Sequence, residues 1–340
     1  MKINKAELQN ALEKVKPGLA GKELIEQSTS FSFVNNRVVT YNDEISISHP
    51  VKGLEIKGAV KAQALYSFLG KVKKEEIDVE YEDNQIIIKT GRSKAGLLFE
   101  KEVLIPIEEE IGNIDKWHKV PDGMMDALKL CHPCCSKDMS NPVLTGVHVK
   151  GDIVEGSDSY QIIQFKLEKA GQMKEFVIPA TTIRELVKYE IVKIADSDGW
   201  VHFKTDDDTI FSARTISGKY PDTTKHLKIE GHEFEFPKNV TSILEKANVF
   251  ARSDFSTNDI SLVTIEITNK MVKISTKNEY GWFEEKGKID YTGEPIKFVT
   301  GVEFLISIFN KLKTCTLGER KIGFAGDNWK HIIATLTGNE

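Results

Sequence analysis

The chain of 340 residues lacks the marks of several protein classes. It has only four cysteines, and three of them crowd together at Cys131, Cys134 and Cys135, so no regular disulfide framework is indicated and a reducing compartment is favoured. No apolar run approaches the 18 residues that a membrane-spanning helix needs, and the start MKINKAELQNALEK has no apolar signal segment. These absences predict a water-soluble, cytoplasmic protein with no membrane partner.

What is present is typical of a folded protein: 40% of the residues are hydrophobic and 29% are charged. At roughly 150 residues per domain, the length favours two or three domains. The formal net charge of -5 argues against a nucleic-acid partner unless the positive charge is concentrated on one surface.

A short amphipathic helix pattern occurs three times along the chain. Each copy has apolar residues at i, i+3, i+4 and i+7, and successive copies are 116 residues apart. The copies are Leu8, Ala11, Leu12 and Val15, then Met124, Ala127, Leu128 and Cys131, then Val240, Ile243, Leu244 and Ala247. This repeat predicts three similar units.

A second helix pattern also recurs, beginning near Val60, Ile178 and Val299, and a pair of alternating strands follows each copy. The predicted strands are 77–81 and 85–90, 192–195 and 200–204, and 321–324 and 331–336. We therefore predict an α+β protein of three repeated domains, 1–113, 114–229 and 230–340, each with two helices packed on antiparallel sheets. A single irregular domain with accidental periodicity is the alternative.

Positive charge is concentrated in the six predicted helical segments, which are 5–16, 60–74, 122–138, 178–189, 237–252 and 299–313. They hold 16 Lys or Arg against 8 Asp or Glu, a net +8 that leaves -13 for the rest of the chain. Such segregation favours a polyanionic partner, although solvated lysines with good helix propensity would give a similar bias. The sequence has no zinc-finger spacing or basic zipper, so we expect contacts to the DNA backbone without sequence specificity.

Several local segments resemble one family. They are Gly91-Arg92-Ser93, Val177-Ile178-Pro179, Gly218-Lys219-Tyr220-Pro221-Asp222 and Lys288-Ile289-Asp290-Tyr291. In this order, within three repeated two-helix domains, they resemble the bacterial-type DNA sliding clamp, the beta subunit of DNA polymerase III. The resemblance implies a homodimeric ring of six domains of the DNA-clamp type.

In that family the ring encircles double-stranded DNA, a clamp-loader ATPase places it there, and it tethers the replicative DNA polymerase. The resemblance therefore implies a non-catalytic processivity factor that needs no cofactor. It implies DNA-facing positions at Lys22, Lys61, Lys71, Lys73, Lys74, Lys129, Arg184, Lys188, Lys238, Lys246, Arg252, Lys311 and Lys313.

Clamp partners insert short peptides into a pocket between the second and third domains. By resemblance, the pocket positions are Leu144, Ser157, Ser159, Tyr160, Gln161, Ile162, Pro221, Lys225, His226, Thr335, Leu336 and Thr337. The family usually reads Thr-Asp-Gly-His-Arg-Leu where this chain has Ser157-Asp158-Ser159-Tyr160-Gln161-Ile162, so a divergent, phage-encoded or mobile-element clamp is an alternative to a cellular one. The implied dimer contact joins Ala95 and Leu97 of one chain to Val249 and Phe250 of the other.

Two other clusters suggest a different class of protein. Cys131, Cys134 and Cys135 with the adjacent His132 supply soft metal ligands, and Asp206 to Asp208 could hold Mg²⁺, so a metal-dependent hydrolase is the alternative function. Small buried thiols and a solvated hairpin turn are the structural interpretations of the same residues. A three-domain adhesive protein is a third hypothesis, which the segregated charge disfavours. The sequence lacks the common hydrolase and nucleotide-binding motifs, so we expect no catalytic activity and no bound metal.

Overall fold

The computed structural model describes residues 1–107, 111, 114, 116–251 and 260–337. In these ranges the α-helices are α1 (Lys5–Val15), α2 (Ala62–Lys71), α3 (Met124–Cys131), α4 (Ala180–Leu186), α5 (Val240–Ala251) and α6 (Val302–Phe309). Short 3₁₀ turns occupy Lys16–Gly18, His132–Cys134 and Pro142–Thr145. None of the helices in these ranges has both the length and the apolar character to span a bilayer.

The strands fall into consecutive groups between the helices. Before α3 they are β1 (Lys2–Asn4), β2 (Ser30–Val34), β3 (Arg37–Tyr41), β4 (Ile45–Pro50), β5 (Gly58–Lys61), β6 (Glu76–Glu82), β7 (Gln85–Thr90), β8 (Ser93–Glu100) and β9 (His118–Lys119). Between α3 and α5 they are β10 (Gly146–Lys150), β11 (Ile153–Ser157), β12 (Gln161–Lys166), β13 (Phe176–Pro179), β14 (Ile191–Ser197), β15 (Trp200–Thr205), β16 (Ile210–Arg214) and β17 (His232–Glu235). After α5 they are β18 (Leu262–Thr268), β19 (Met271–Asn278), β20 (Gly281–Lys288), β21 (Ile296–Gly301), β22 (Thr314–Gly318), β23 (Lys321–Ala325), β24 (Trp329–Ala334) and β25 (Leu336–Thr337).

The chain divides into two compact units. Unit 1 comprises Met1–His132, His148–Asp152 and Glu168–Gly218, and unit 2 comprises Pro133–Val147, Ile153–Leu167 and Lys219–Glu340. The finer division into three domains remains a prediction.

Unit 1 is built on one long antiparallel sheet in the order β1-β6-β7-β8-β5-β2-β3-β4-β16-β15-β14-β9. The β4–β16 pairing, from Ile45 opposite Ala213 to Ser48 opposite Ile210, joins the strands of the first predicted domain to those of the second. Helix α1 packs on α2, and α3 packs on α4.

Unit 2 contains the strand order β11-β12-β24-β23-β22-β17 and a separate five-stranded sheet, β20-β19-β18-β21-β25. Helices α5 and α6 pack on each other, and α5 also packs on β19. The core between them is apolar and includes Ile265, Leu305 and Phe309, all completely buried.

The three predicted apolar helix faces are buried as expected. All twelve residues of the three repeats lie in the core, including Leu12, Leu128 and Leu244 at 0% exposure. Helix α1 begins where Asn4 Oδ1 accepts hydrogen bonds from the backbone N–H groups of Ala6 and Glu7, at 2.9 and 3.1 Å. The α+β prediction, with helix pairs packed on antiparallel sheets, is confirmed.

One predicted strand is interrupted. The expected strand 331–336 ends at Ala334, and the chain resumes in a new strand at Leu336 that pairs with β21 instead. Between them, the backbone N–H of Thr335 donates to the Arg320 carbonyl at 2.9 Å, and Thr300 Oγ1 donates to the Ala334 carbonyl at 3.0 Å. These bonds fix the backbone at the point where the chain leaves β24 and enters β25 of the five-stranded sheet.

Candidate functional site

The turn between β11 and β12 is organised by the Asp158 carboxylate. Its Oδ1 accepts from the backbone N–H groups of Tyr160 and Gln161, both at 2.9 Å, and its Oδ2 accepts from Gln161 Nε2 at 2.8 Å. Ser159 has a φ of 76°, which lets the chain reverse within this short turn. Burial raises the pKa of Asp158, and the hydrogen bonds from Gln161 and Tyr160 act in the opposite direction.

Behind this turn lies a buried imidazole. His331 is 1% exposed, and its Nε2 is 2.9 Å from Gln161 Oε1. Burial lowers the pKa of His331 to about 4, with a smaller contribution from Lys311, so the ring is neutral at pH 7. The Gln161 amide nitrogen faces a carboxylate that only accepts, so its oxygen faces the ring, and His331 Nε2 carries the proton and donates.

Strand pairing places the end of the chain beside this turn. β12 pairs antiparallel with β24, with Ile162 opposite Ile332, and the Ala334 N–H donates to the Tyr160 carbonyl at 2.7 Å. Tyr160 and Leu336 expose 48% and 47% of their surface, respectively. Two apolar side chains thus remain exposed at neighbouring positions of the fold.

The remaining predicted pocket residues lie on segments tied to the same strands. Ser157, Gln161, Leu144 and Thr335 are buried, Ile162 is half-buried, and Ser159, Pro221, Lys225 and His226 are exposed. Thr337 lies in β25 opposite Phe298. Thr223 Oγ1 donates to Glu155 Oε2 at 2.6 Å, which links the segment 221–226 to β11. The structure thus brings the predicted segments together in unit 2.

Sequence reasoning missed two contributors to this region, Asp158 and His331. Asp158 carried a usable signal, because Asp often caps its own turn through backbone N–H groups two and three residues ahead. His331 carried none, since its partner Gln161 is 170 residues away.

The predicted DNA-facing residues are mostly exposed. Lys22, Lys71, Lys73, Lys74, Lys129, Arg184, Lys188, Lys238, Lys246 and Lys311 are exposed, Lys61 and Lys313 are half-buried, and Arg252 lies outside the described residues. Four are partnered by acids: Lys61 with Glu23, Arg184 and Lys188 with Glu185 at 3.9 and 2.6 Å, and Lys246 with Glu285 at 2.7 Å. Such exposed ion pairs contribute little stability, so the basic side chain can readily exchange its carboxylate partner for another anion.

The expectation that the helices themselves are basic is wrong. Within the observed bounds the six helices carry six basic and six acidic residues, namely Lys5, Lys14, Lys71, Lys129, Arg184 and Lys246 against Glu7, Glu13, Asp126, Glu185, Glu245 and Glu303. The predicted segments were longer than the helices, and the surplus lies in the flanking residues. Several of these, such as Lys16, Lys73 and Lys311, follow helix C-termini, where a cation interacts favourably with the helix dipole.

Strand β8 presents an open edge in unit 1. It pairs with β7 along residues 93–98, but with β5 only at Phe99 and Glu100. The predicted contact residues Ala95 and Leu97 are half-buried on this strand, and Leu98, which was not predicted, is 67% exposed.

Strand β20 is the outer strand of the five-stranded sheet in unit 2. Near it, Val249 at the end of α5 is 71% exposed, and Phe250 stacks on Phe283 of β20 with ring centroids 6.4 Å apart. Tyr280 and Trp282, which the sequence analysis did not single out, are 65% and 69% exposed. Exposed aromatic side chains beside a sheet edge are typical of an interaction surface.

The cysteine cluster lies in the core. Cys131, Cys134 and Cys135 are buried, and burial raises the pKa of the Cys134 thiol to about 12. Cys134 Sγ lies 3.9 Å from His331 Nε2. In the described part of the chain, no group of three or more His, Cys, Asp or Glu side chains is arranged to hold a metal ion.

The Asp206–Asp208 run forms the turn between β15 and β16, and two of its three carboxylates pair with cations of the protein. Asp207 pairs with Lys14, and Asp208 pairs with Lys204 and with Arg37, the latter at 3.1 Å. Partial burial would raise the pKa of Asp207, but hydrogen bonds from Lys14, Thr205 and Thr209 hold it well below the ordinary range. The run is thus a structural turn, as its position between two strands predicted.

No model of a known protein family matches the chain, and no curated protein is significantly similar to it. Solved structures do match along almost its whole length. The DNA polymerase III beta chain of Streptococcus pneumoniae is 20% identical, with 98% of each chain covered and a TM-score of 0.82. The DNA polymerase sliding clamp of Bacillus subtilis is 18% identical over 98% of each chain at a TM-score of 0.82. The sliding clamp of Bartonella birtlesii, solved with griselimycin, is 15% identical over 99% of each chain at 0.86. The chain therefore has the fold of the bacterial sliding clamps from end to end.

Proposed function

We propose that this chain is a sliding clamp: a non-catalytic ring that encircles double-stranded DNA and tethers the replicative DNA polymerase. The observation that carries the proposal is the full-length likeness to clamp structures, at TM-scores of 0.82 to 0.86 with both chains covered to 98% or more. Likeness over nearly the whole length is more than a single shared domain would give.

The two open edges support ring closure by a homodimer. Strand β8 has an open edge beside Leu98, and β20 has one beside Trp282. Each edge offers unpaired backbone groups and exposed apolar side chains, so pairing β8 of one protomer with β20 of its partner would cover both. Because the two edges differ, the contact is head-to-tail, and two such contacts close a dimer.

Exposed lysines and arginines support contact with the phosphate backbone of DNA. The residues that flank the helices are richer in basic than in acidic side chains, while the chain as a whole is acidic. A ring needs only weak, non-specific contacts, because topology and not affinity holds it on DNA. We propose that a separate clamp-loader ATPase opens the ring.

The exposed pair Tyr160 and Leu336 supports a peptide-binding site for the polymerase and other partners. Both are apolar, both lie next to ordered strand ends, and the segment carrying Lys225 and His226 is tied to the same region. A phage-displayed random peptide library, selected on the wild-type protein, would identify a ligand. Binding to this site requires that Leu336→Asp abolish recognition of the selected peptide, whereas Leu24→Ala, at a 92% exposed position in unit 1, leaves it unchanged.

The test of the clamp function is topological. The protein is diluted to separate protomers, mixed with nicked circular plasmid, concentrated to close the ring, and passed through a sizing column in high salt. We expect protein to stay with the circular DNA and to be lost when a restriction enzyme linearises it. Equal retention on linear and circular DNA, or none on either, would contradict the proposal.

A further inference from the structure

The side chains of His331, Gln161 and Asp158 form one chain of hydrogen bonds beneath the exposed turn. His331 Nε2 donates to Gln161 Oε1 at 2.9 Å, and Gln161 Nε2 donates to Asp158 Oδ2 at 2.8 Å. Asp158 Oδ1 then accepts from the backbone of Tyr160 and Gln161. In this series of hydrogen bonds, each nitrogen donates and each oxygen accepts, so no two donors or two acceptors face each other.

Burial makes this chain of bonds difficult to replace by water. His331 is 1% exposed and Gln161 is 5% exposed, so an unpaired group at either position would remain unsatisfied. The neutral state of His331 suits it to donate to an amide oxygen without bringing a charge into the core.

The same bonds determine where Tyr160 lies. Its backbone N–H is held by Asp158 and its carbonyl by the Ala334 N–H at 2.7 Å, so both sides of the residue are fixed while its side chain is 48% exposed. Ala334 precedes by two residues the other exposed apolar position, Leu336. The geometry of the exposed pair therefore depends on a turn that the buried His331 supports.

We propose that His331 and Gln161 are positioning residues for the peptide site: by donating to Gln161, His331 orients the Gln161 amide toward Asp158, which fixes the turn that presents Tyr160. This inference rests on the proposed peptide site and extends it to residues that a bound peptide would not touch. The resemblance to the clamp family did not indicate it, because family members usually have Arg where this chain has Gln161.

Three variants test the role. His331→Leu introduces an apolar side chain of similar size and removes the donor. His331→Gln restores an N–H near the position of Nε2, and Ile322→Val perturbs the adjacent core strand β23 without touching the hydrogen bonds. The ligand is the peptide selected on the wild-type protein, and its dissociation constant is measured by fluorescence anisotropy. Hydrogen exchange of the Tyr160 and Gln161 amides is measured in parallel without peptide.

We expect His331→Leu to weaken peptide binding about ten-fold and to speed exchange of both amides, because a buried acceptor loses its partner. His331→Gln should bind within about two-fold of the wild type, and Ile322→Val should match it in both measurements. Binding by His331→Leu within two-fold of the wild type, or His331→Gln as weak as His331→Leu, would overturn the positioning role. Failure to select any peptide would instead overturn the peptide site itself.

Discussion

Trp282→Ala is the change that most directly perturbs the proposed dimer contact. Trp282 lies on β20, the outer strand of its sheet, with 69% of its surface exposed. Nothing in the described part of unit 2 covers that surface, so the substitution should cost the folded monomer little. Its main expected effect is on association.

The magnitude follows from the exposed area. A tryptophan buries up to about 250 Å², so 69% exposure leaves roughly 170 Å² for a partner to cover, of which alanine would retain about 50 Å². If half of the lost area, about 60 Å², is covered in the dimer, the loss at ~25 cal/mol per Å² is about 1.5 kcal/mol for each contact. A ring has two such contacts, so the dimer loses about 3 kcal/mol, and its dissociation constant rises about a hundred-fold.

Sedimentation velocity over a concentration series from nanomolar to micromolar measures this constant. The matched control is Leu24→Ala, a change at a 92% exposed side chain in the loop after α1, which should leave the dissociation constant within about two-fold of the wild type. A Trp282→Ala protein that dimerises like the wild type would refute the assignment of β20 to the contact.

Three further results are expected. Asp207→Asn removes the ion pair with Lys14. The lowered pKa of Asp207 adds stability above pH ~4 that is lost as the pH falls. Urea unfolding of the variant should therefore show a shallower loss of stability below pH 4, and a free energy of unfolding lower than that of the wild type by about 1 kcal/mol or less at pH 7. A thiol reagent should modify the buried cysteines, Cys134 among them, at least about a hundred-fold more slowly in native protein than in guanidinium, and fast native labelling would contradict their burial. In equilibrium binding to short linear duplex DNA, Lys129→Ala and Arg184→Ala should each weaken affinity at low salt and flatten its dependence on salt concentration, whereas unchanged affinity would remove that residue from the DNA-facing surface.

The helix faces could be predicted because their cause is local. Within each helix the apolar residues, such as Leu8, Leu12 and Val15, recur at a spacing that matches 3.6 residues per turn. The equivalent residues Leu12, Leu128 and Leu244 lie 116 residues apart, which predicts units of the same kind. The hairpins at 77–90 and 192–204 were predictable for the same reason, since period-2 alternation and a polar turn are also local.

Helix ends were less predictable, and because the predicted helices were too long, basic residues outside them were counted as helical. The segment 299–313 was expected to be helical, but α6 covers only Val302–Phe309, so Lys311 and Lys313 lie beyond its end. Periodicity does not specify where the backbone carbonyls of the last turn find other partners. The basic residues are present as predicted, but they do not form basic helix faces.

The hydrogen bonds beneath the proposed peptide site could not be predicted. Gln161 and His331 meet because β12 pairs with β24, and this register connects residues 170 positions apart. Similarly, the exposure of Trp282 follows from β20 being an outer strand, a position that sequence alternation alone does not reveal. Both features depend on strand order, which is a property of the whole fold.

The proposed function depends on two copies of this chain closing into a ring. Negative-stain electron microscopy of the purified protein at micromolar concentration shows oligomeric state and topology together. We expect closed rings of six lobes around a hole wide enough for duplex DNA. Single three-lobed particles at every concentration tested would contradict it.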